Sequence, residues 1–181
     1  FMFLDLQAST TIAEQLGHFK YSELIQKCFY DLNRVLTNYD AEIYQYVGDE
    51  AVVSWLFDKG LKANNCVELF FKFQDKLLKN EKLYLKKFGL TPKFKAGLHG
   101  GKLIVTEVGT IKKEIAYHGD VINTSARIQG ECNKYDETLL ISEKLLQKLK
   151  LHKYKLTSIG NIALKGKEEK LNLFSINRIN Q

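Results

Sequence analysis

The sequence predicts an α+β fold, a β-sheet with helices packed on one face, and three observations carry that expectation. Short strand-like segments recur along the 181 residues. Amphipathic helical stretches lie between them, and a Gly48-Asp49 turn joins two of the strands as a hairpin. The resulting order is strand, helix, strand-turn-strand, helix, strand, helix, strand, helix, strands, which a sheet layered with helices accommodates.

Residues 1–5 read as a short apolar strand already under way. Thr11 with Glu14 fits a capping box that starts a helix, and Gly17 can stop its first piece. From about 19 to 38, Leu24, Ile25, Cys28, Phe29, Leu32 and Val35 recur at helical spacing. Residues 41–47 alternate as a strand, and 51–57 run back as a second. A helix is expected over about 61–88, ended by Gly89. Residues 93–106 read as a strand interrupted by Gly97, Gly100 and Gly101. Residues 119–133 look helical, 139–141 form a short strand, Ser142 caps a helix to about 149, and 152–178 alternate like paired strands. With a single proline (Pro92), no repeat and no low-complexity tract, residues 1–181 read as one domain.

Composition narrows the class. Hydrophobic residues make up 45% and charged residues 27%, as in ordinary globular domains. No apolar run approaches the roughly 18 residues of a membrane span. The N-terminus has neither a basic region nor a cleavage site, so the chain is expected to be a cytoplasmic fragment of something longer. Cys28, Cys66 and Cys132 are odd in number and far apart, which argues against disulfides and zinc and suits free thiols in a reducing compartment. A net charge of +6 favours anionic partners, but the basic residues are scattered. A nucleic-acid module would need a clustered basic patch and aromatics displayed on the sheet; neither is evident, so nucleic acid is not expected as a partner.

Three features bear on chemistry. Asp5 ends an apolar strand and Asp49 sits in the hairpin turn; if the hairpin lies beside the first strand, both acids project at one sheet edge. Two hard carboxylates suit Mg²⁺, whose shell is completed by water and phosphates. Read alone, Asp5 could equally be an N-cap and Asp49 a turn residue. Residues 6–10, small and polar, could offer amide groups to phosphates at the following helix N-terminus. Finally, Asn123 and Arg127 stand i and i+4, an amide and a guanidinium on one helical face.

Taken together, Phe3-Leu4-Asp5-Leu6-Gln7-Ala8-Ser9-Thr10, Tyr46-Val47-Gly48-Asp49-Glu50, Gly97-Leu98-His99-Gly100-Gly101 and the run from Gly119 to Arg127 resemble the class III adenylyl and guanylyl cyclases over almost the whole chain. Leu164-Lys165-Gly166-Lys167 is similar to that family's last loop. The resemblance implies a ferredoxin-like sheet with helices packed on it and a head-to-tail homodimer whose active sites are shared between subunits. It implies cyclisation of a nucleoside triphosphate with two Mg²⁺ or Mn²⁺ ions per site, held by Asp5, Asp49 and the backbone of Leu6. Asn123 and Arg127 match the family's transition-state residues. Lys165, with Lys167 as the substitute, matches a lysine on the terminal phosphates, and Lys112 falls near a further basic position. Ser9 and Thr10 fall in the phosphate loop, and a sensor or membrane domain is expected upstream.

The chain departs from the family at two places. Ala8 replaces the usual glycine, a change the loop absorbs if the backbone torsion there is negative. At the base-reading pair, adenylyl cyclases carry Lys with Asp or Thr, and guanylyl cyclases Glu with Cys or another small residue; this chain has Gln45 and Ala116. ATP is the expected substrate, with GTP, UTP or CTP as alternatives, and Tyr44 or Tyr46 could narrow the pocket. A catalytically silent nucleotide-binding regulator is the competing reading. His99 is expected to pack and His118 to wall the base pocket; Trp55 is read as core. Glu50 is expected to point away from Asp49 and is not counted as a ligand.

Overall fold

The computed structural model describes residues 1–111, 113–164, 166 and 170–179. It divides into two compact units, Phe3–Ala96 and the combination of Phe1–Met2 with Gly97–Gln181.

The first unit holds β1 (Met2–Leu6), α1 (Ser9–Leu36), β2 (Glu42–Val47), β3 (Glu50–Ser54), α2 (Phe57–Leu61), α3 (Asn65–Lys79) and α4 (Glu81–Phe88), and runs into β4 (Phe94–Leu98). Its strands lie in the order β2-β3-β1-β4. Met2, Leu4 and Leu6 are buried, and β2 and β3 pair antiparallel across the expected turn, Val47 opposite Glu50. Gly48 supplies the positive φ that this turn requires.

Three expectations change here, and the break expected at Gly17 holds. The capping box is not used: Ala8, not Thr11, is the N-cap residue, and Ile12 N–H already donates to the Ala8 carbonyl at 3.0 Å. Gly17 kinks α1 (φ 72°, ψ 162°), and the helix resumes at once. The strand expected over 51–57 ends at Ser54, since Phe57 opens α2 and Trp55 turns aside to donate its indole N–H to the Tyr39 carbonyl at 3.0 Å. The single helix expected over 61–88 is two, broken at Asn80. Asn80 leaves the helix because its side-chain amide donates to Asp31 Oδ2 at 2.8 Å. Gly89 closes α4 in the left-handed region, as expected.

Asp31 is 1% exposed on the inner face of α1, between the apolar positions Cys28 and Leu32. A carboxylate that deep requires a full set of partners. Lys27 Nζ at 2.6 Å, Asn80 Nδ2 at 2.8 Å and Tyr84 Oη at 2.8 Å supply them. The network ties α1 to the α3–α4 break, while Phe73 of α3 meets Phe94 of β4 edge-on at 5.0 Å.

The second unit holds β5 (Ile104–Val108), β6 (Glu114–His118), α5 (Asp120–Glu131), β7 (Leu139–Ser142), α6 (Glu143–Leu146), β8 (Tyr154–Ile162) and β9 (Leu171–Arg178). β7, β9 and β8 lie side by side, and β5 with β6 forms a separate two-stranded hairpin. The strand expected over 93–106 is therefore two strands of different sheets, parted by the irregular segment 99–103 that holds Gly100 and Gly101. Ile128, Cys132, Leu140, Leu164 and Leu173 form a core that joins α5 to this sheet. Ser142 starts α6 without capping it; its hydroxyl pairs with His99 Nδ1 at 2.7 Å, and α6 stops at Leu146. His99 is thus a packed histidine, as expected. All three cysteines are free and buried, and burial pushes the Cys28 and Cys66 thiols up to about 12, which leaves them unreactive. Among the described residues no helix is long and apolar enough to cross a membrane.

Candidate active site

In the first unit, β1 delivers Asp5 and the β2–β3 turn delivers Asp49, with β3 lying beside β1. Burial, then the negative charges of Asp5 and Asp49, push the Glu50 carboxyl up to about 7. Glu50 thus feels the charge of both acids from its place on β3. Lys95 of β4, 6% exposed, places Nζ 3.2 Å from Asp5 Oδ2 and offsets part of that charge. Asp49 Oδ2 is buried and has no hydrogen-bond partner. Leaving such an oxygen unsatisfied is costly unless the site is built to receive a cation.

Asp49 also lines a cavity of about 490 Å³ with Ser9, Thr10, Glu14, Gly17 and Tyr21. Burial, followed by the charge of Asp49, pushes the Tyr21 phenol up to about 12, so it stays protonated beside these acids. Among the described residues no group of three or more His, Cys, Asp or Glu side chains is arranged to hold a metal by itself. The donors present are two hard carboxylates with an open oxygen, a set that suits Mg²⁺ or Mn²⁺ with phosphates completing the shell.

The phosphate-loop expectation needs one correction. Ala8 sits at φ 55°, ψ 31°, the left-handed region, and not at the negative torsion on which its tolerance was argued. An L-residue there carries roughly 1–2 kcal/mol of strain. Ala8→Gly is therefore expected to stabilise the protein by about 1 kcal/mol, net of glycine's greater unfolded entropy. Thermal melting of the two proteins checks this; an unchanged or lower midpoint would show that the strain is relieved elsewhere.

Gln45 is exposed on β2 at the irregularity between Ile43 and Gln45. Tyr46 is stacked on Phe29 at 4.6 Å and bonded to Asn33 Nδ2 at 2.9 Å, which fixes it against α1.

In the second unit, α5 carries Asn123 exposed and Arg127 half-buried. Val121, Thr124, Ser125 and Ile128 are buried, so the opposite face of the helix is the packed one, and the Thr124 and Ser125 hydroxyls are satisfied within the helix by Asp120 at 3.0 Å and the Val121 carbonyl at 2.9 Å. Gly166 lies against the Arg127 guanidinium: a Cβ added there would stand 3.3 Å from Nη2. The last loop and the α5 arginine thus meet, although Lys165, Lys167 and Lys112 lie outside the described residues. Ala116 lies directly opposite Thr106 in the β5–β6 hairpin, and His118 Nε2 is 2.8 Å from Thr106 Oγ1.

Lys95 and Tyr21, which lie beside Asp5 and Asp49, escaped the sequence reading. Lys95 carried the most legible signal, a lone cation in the buried run Phe94-Lys95-Ala96-Gly97.

The sequence profile of the adenylate and guanylate cyclase catalytic domain matches residues 1–178, and the chain belongs to that family. Adenylate cyclase 2 of Rhizobium meliloti (strain 1021) is 32% identical over 177 residues, 97% of this chain and 49% of its own length. The adenylate cyclase of Anabaena cylindrica is 24% identical over 182 residues, 97% of this chain and 36% of its own. The chain thus spans about half, or less, of these relatives. In fold it is similar to a bacterial light-regulated adenylyl cyclase (TM-score 0.84, 17% identity, 99% of this chain and 51% of that one). It is also similar to the guanylyl cyclase Cya2 (TM-score 0.81, 18% identity, 99% and 91%).

Proposed function

We propose that this domain closes a nucleoside triphosphate, ATP in preference to the others, into its 3′,5′-cyclic monophosphate and pyrophosphate. The observation that carries the reading is the buried, unpartnered Asp49 Oδ2 within a cluster of carboxylates. In the reaction the ribose 3′-oxygen loses its proton and bonds to the α-phosphorus, and the bond from that phosphorus to the bridging oxygen of the β-phosphate breaks.

Asp5, Asp49 and the Leu6 carbonyl would hold two Mg²⁺ or Mn²⁺ ions. Such ions supply Lewis acidity toward the 3′-oxygen and charge neutralisation on the triphosphate. The chain's own groups do the positioning. Ser9 and Thr10 face the phosphates from the start of α1. Asn123 orients the reacting phosphoryl group and Arg127 neutralises its developing charge. Lys165, beside Gly166, and Lys112 bind the outer phosphates. Gln45 and Ala116 line the base.

The active unit is a homodimer. Val105 and Ile115 are 56% and 54% exposed on one face of the β5–β6 hairpin, an apolar surface that a second copy would cover. Three free cysteines suit a cytoplasmic catalytic domain. The unmatched half of the relatives' length leaves room for a sensor or membrane domain in a longer chain.

Incubation of the protein with each of the four triphosphates and Mn²⁺, followed by mass analysis, tests the proposal. Cyclic AMP is the expected main product. A cyclic product from GTP, UTP or CTP instead would reassign the base, and nucleotide binding without any cyclic product would favour the silent regulator.

A further inference from the structure

Resting on the reading of Ala116 as part of the base pocket, we infer that Thr106 is the specificity-determining residue of that pocket, reading the exocyclic amino group that Ala116 cannot contact. Ala116 offers a methyl group, so any polar recognition on this face of the hairpin must come from a neighbour. Directly opposed residues of an antiparallel pair share a face with their Cβ atoms about 5 Å apart. The residue opposite Ala116 is Thr106. The two form the half-buried centre of strands whose other positions are largely exposed. A base edge that reaches Ala116 therefore meets the Thr106 hydroxyl.

That hydroxyl is held in place. His118 is two residues beyond Ala116 on the same face, and its Nε2 lies 2.8 Å from Thr106 Oγ1. A threonine hydroxyl has one proton and two lone pairs. If the hydroxyl donates its hydrogen bond to the imidazole, both lone pairs remain for the ligand. If the imidazole donates instead, one lone pair remains. An acceptor is available in either tautomer, whereas a donor is available in only one. The pair consequently favours a base whose edge presents an amino group, adenine or cytosine, over one that presents a carbonyl. Tolerance of residue 116 follows too, because the polar contact has moved one strand across.

The test compares ATP with purine riboside 5′-triphosphate, which lacks the 6-amino group, on wild type, Thr106→Val and Thr106→Ser. Thr106→Val is nearly isosteric, and a merely structural role would lower kcat/KM for both substrates alike. The wild type is expected to favour ATP by about 10-fold or more, and the valine variant to bring that ratio to within about 3-fold of unity. Thr106→Ser should restore it. An unchanged ratio in Thr106→Val overturns the inference while leaving the cyclase reading intact, as does a wild type that prefers GTP to ATP. A wild type that cyclises no triphosphate removes the cyclase reading and this inference with it.

Discussion

Asp49→Ala is expected to lower cyclase turnover by at least about 10³-fold, equivalent to roughly 4 kcal/mol of transition-state stabilisation, while the protein stays folded. The two halves of that expectation share a cause. Asp49 stands in a turn, with one oxygen buried and unpartnered and with Asp5 and Glu50 adding negative charge nearby. Removing it deletes the proposed ligand for the cation and a hydrogen-bond partner of Tyr21, but also an unsatisfied acceptor and a source of like-charge repulsion. Melting in the absence of divalent ions should therefore show a midpoint equal to or above wild type. Titrating Glu50 in the variant should show only a small downward change, since burial and Asp5 continue to hold its carboxyl up. Loss of activity together with a clear loss of apo stability would instead mark Asp49 as a structural turn residue.

Gly97→Ala should produce the largest effect on folding. A Cβ at this β4 position would stand 2.2 Å from Gln129 N, 2.6 Å from the Ser125 carbonyl oxygen and 2.7 Å from Gln129 Cα. These are backbone atoms of α5, so no side-chain rotamer can yield; the whole helix must lift off the strand. Overpacking of ordinary cores costs about 1–3 kcal/mol, and a backbone-on-backbone clash is expected to exceed that range. For a chain of this size about 3 kcal/mol lowers the melting midpoint by roughly 6–12 °C. Because α5 carries Asn123 and Arg127, any variant that folds should also lose turnover. A melt within about 2 °C of wild type would mean that α5 is not seated on Gly97 as described.

The fold was legible where local chemistry decides it. The apolar first strand, the hairpin at Gly48, the kink glycine at 17 and the stop at Gly89 each follow from residues close in sequence. What escaped depends on partners far along the chain. Asn80 breaks a helix that its neighbours support because it serves Asp31, 49 residues away. Ser142 looks like a cap but is taken up by His99. The β5–β6 hairpin was missed although Gly109, at positive φ, lies between its strands, because both strands stay largely exposed and lack a clear apolar alternation.

The candidate site shows the same division. Asp5, Asp49, Asn123 and Arg127 were singled out in the sequence through the family's motifs, since spacing alone left Asp5 and Asp49 open to cap and turn roles. Lys95 was not, since it pairs with Asp5 on another strand. Ala8 is the instructive error: its substitution was visible in the sequence, but its left-handed torsion was not.

The central claim, that catalytic groups are shared between two copies of this chain, is tested most directly by mixing two inactive variants, Asp49→Ala and Arg127→Ala. If each site takes its acids from one subunit and its arginine from the partner, every mixed dimer contains one intact site. Free exchange then predicts recovery of roughly a quarter of wild-type activity. No recovery, in a sample where mixed dimers are demonstrably formed, would contradict the account.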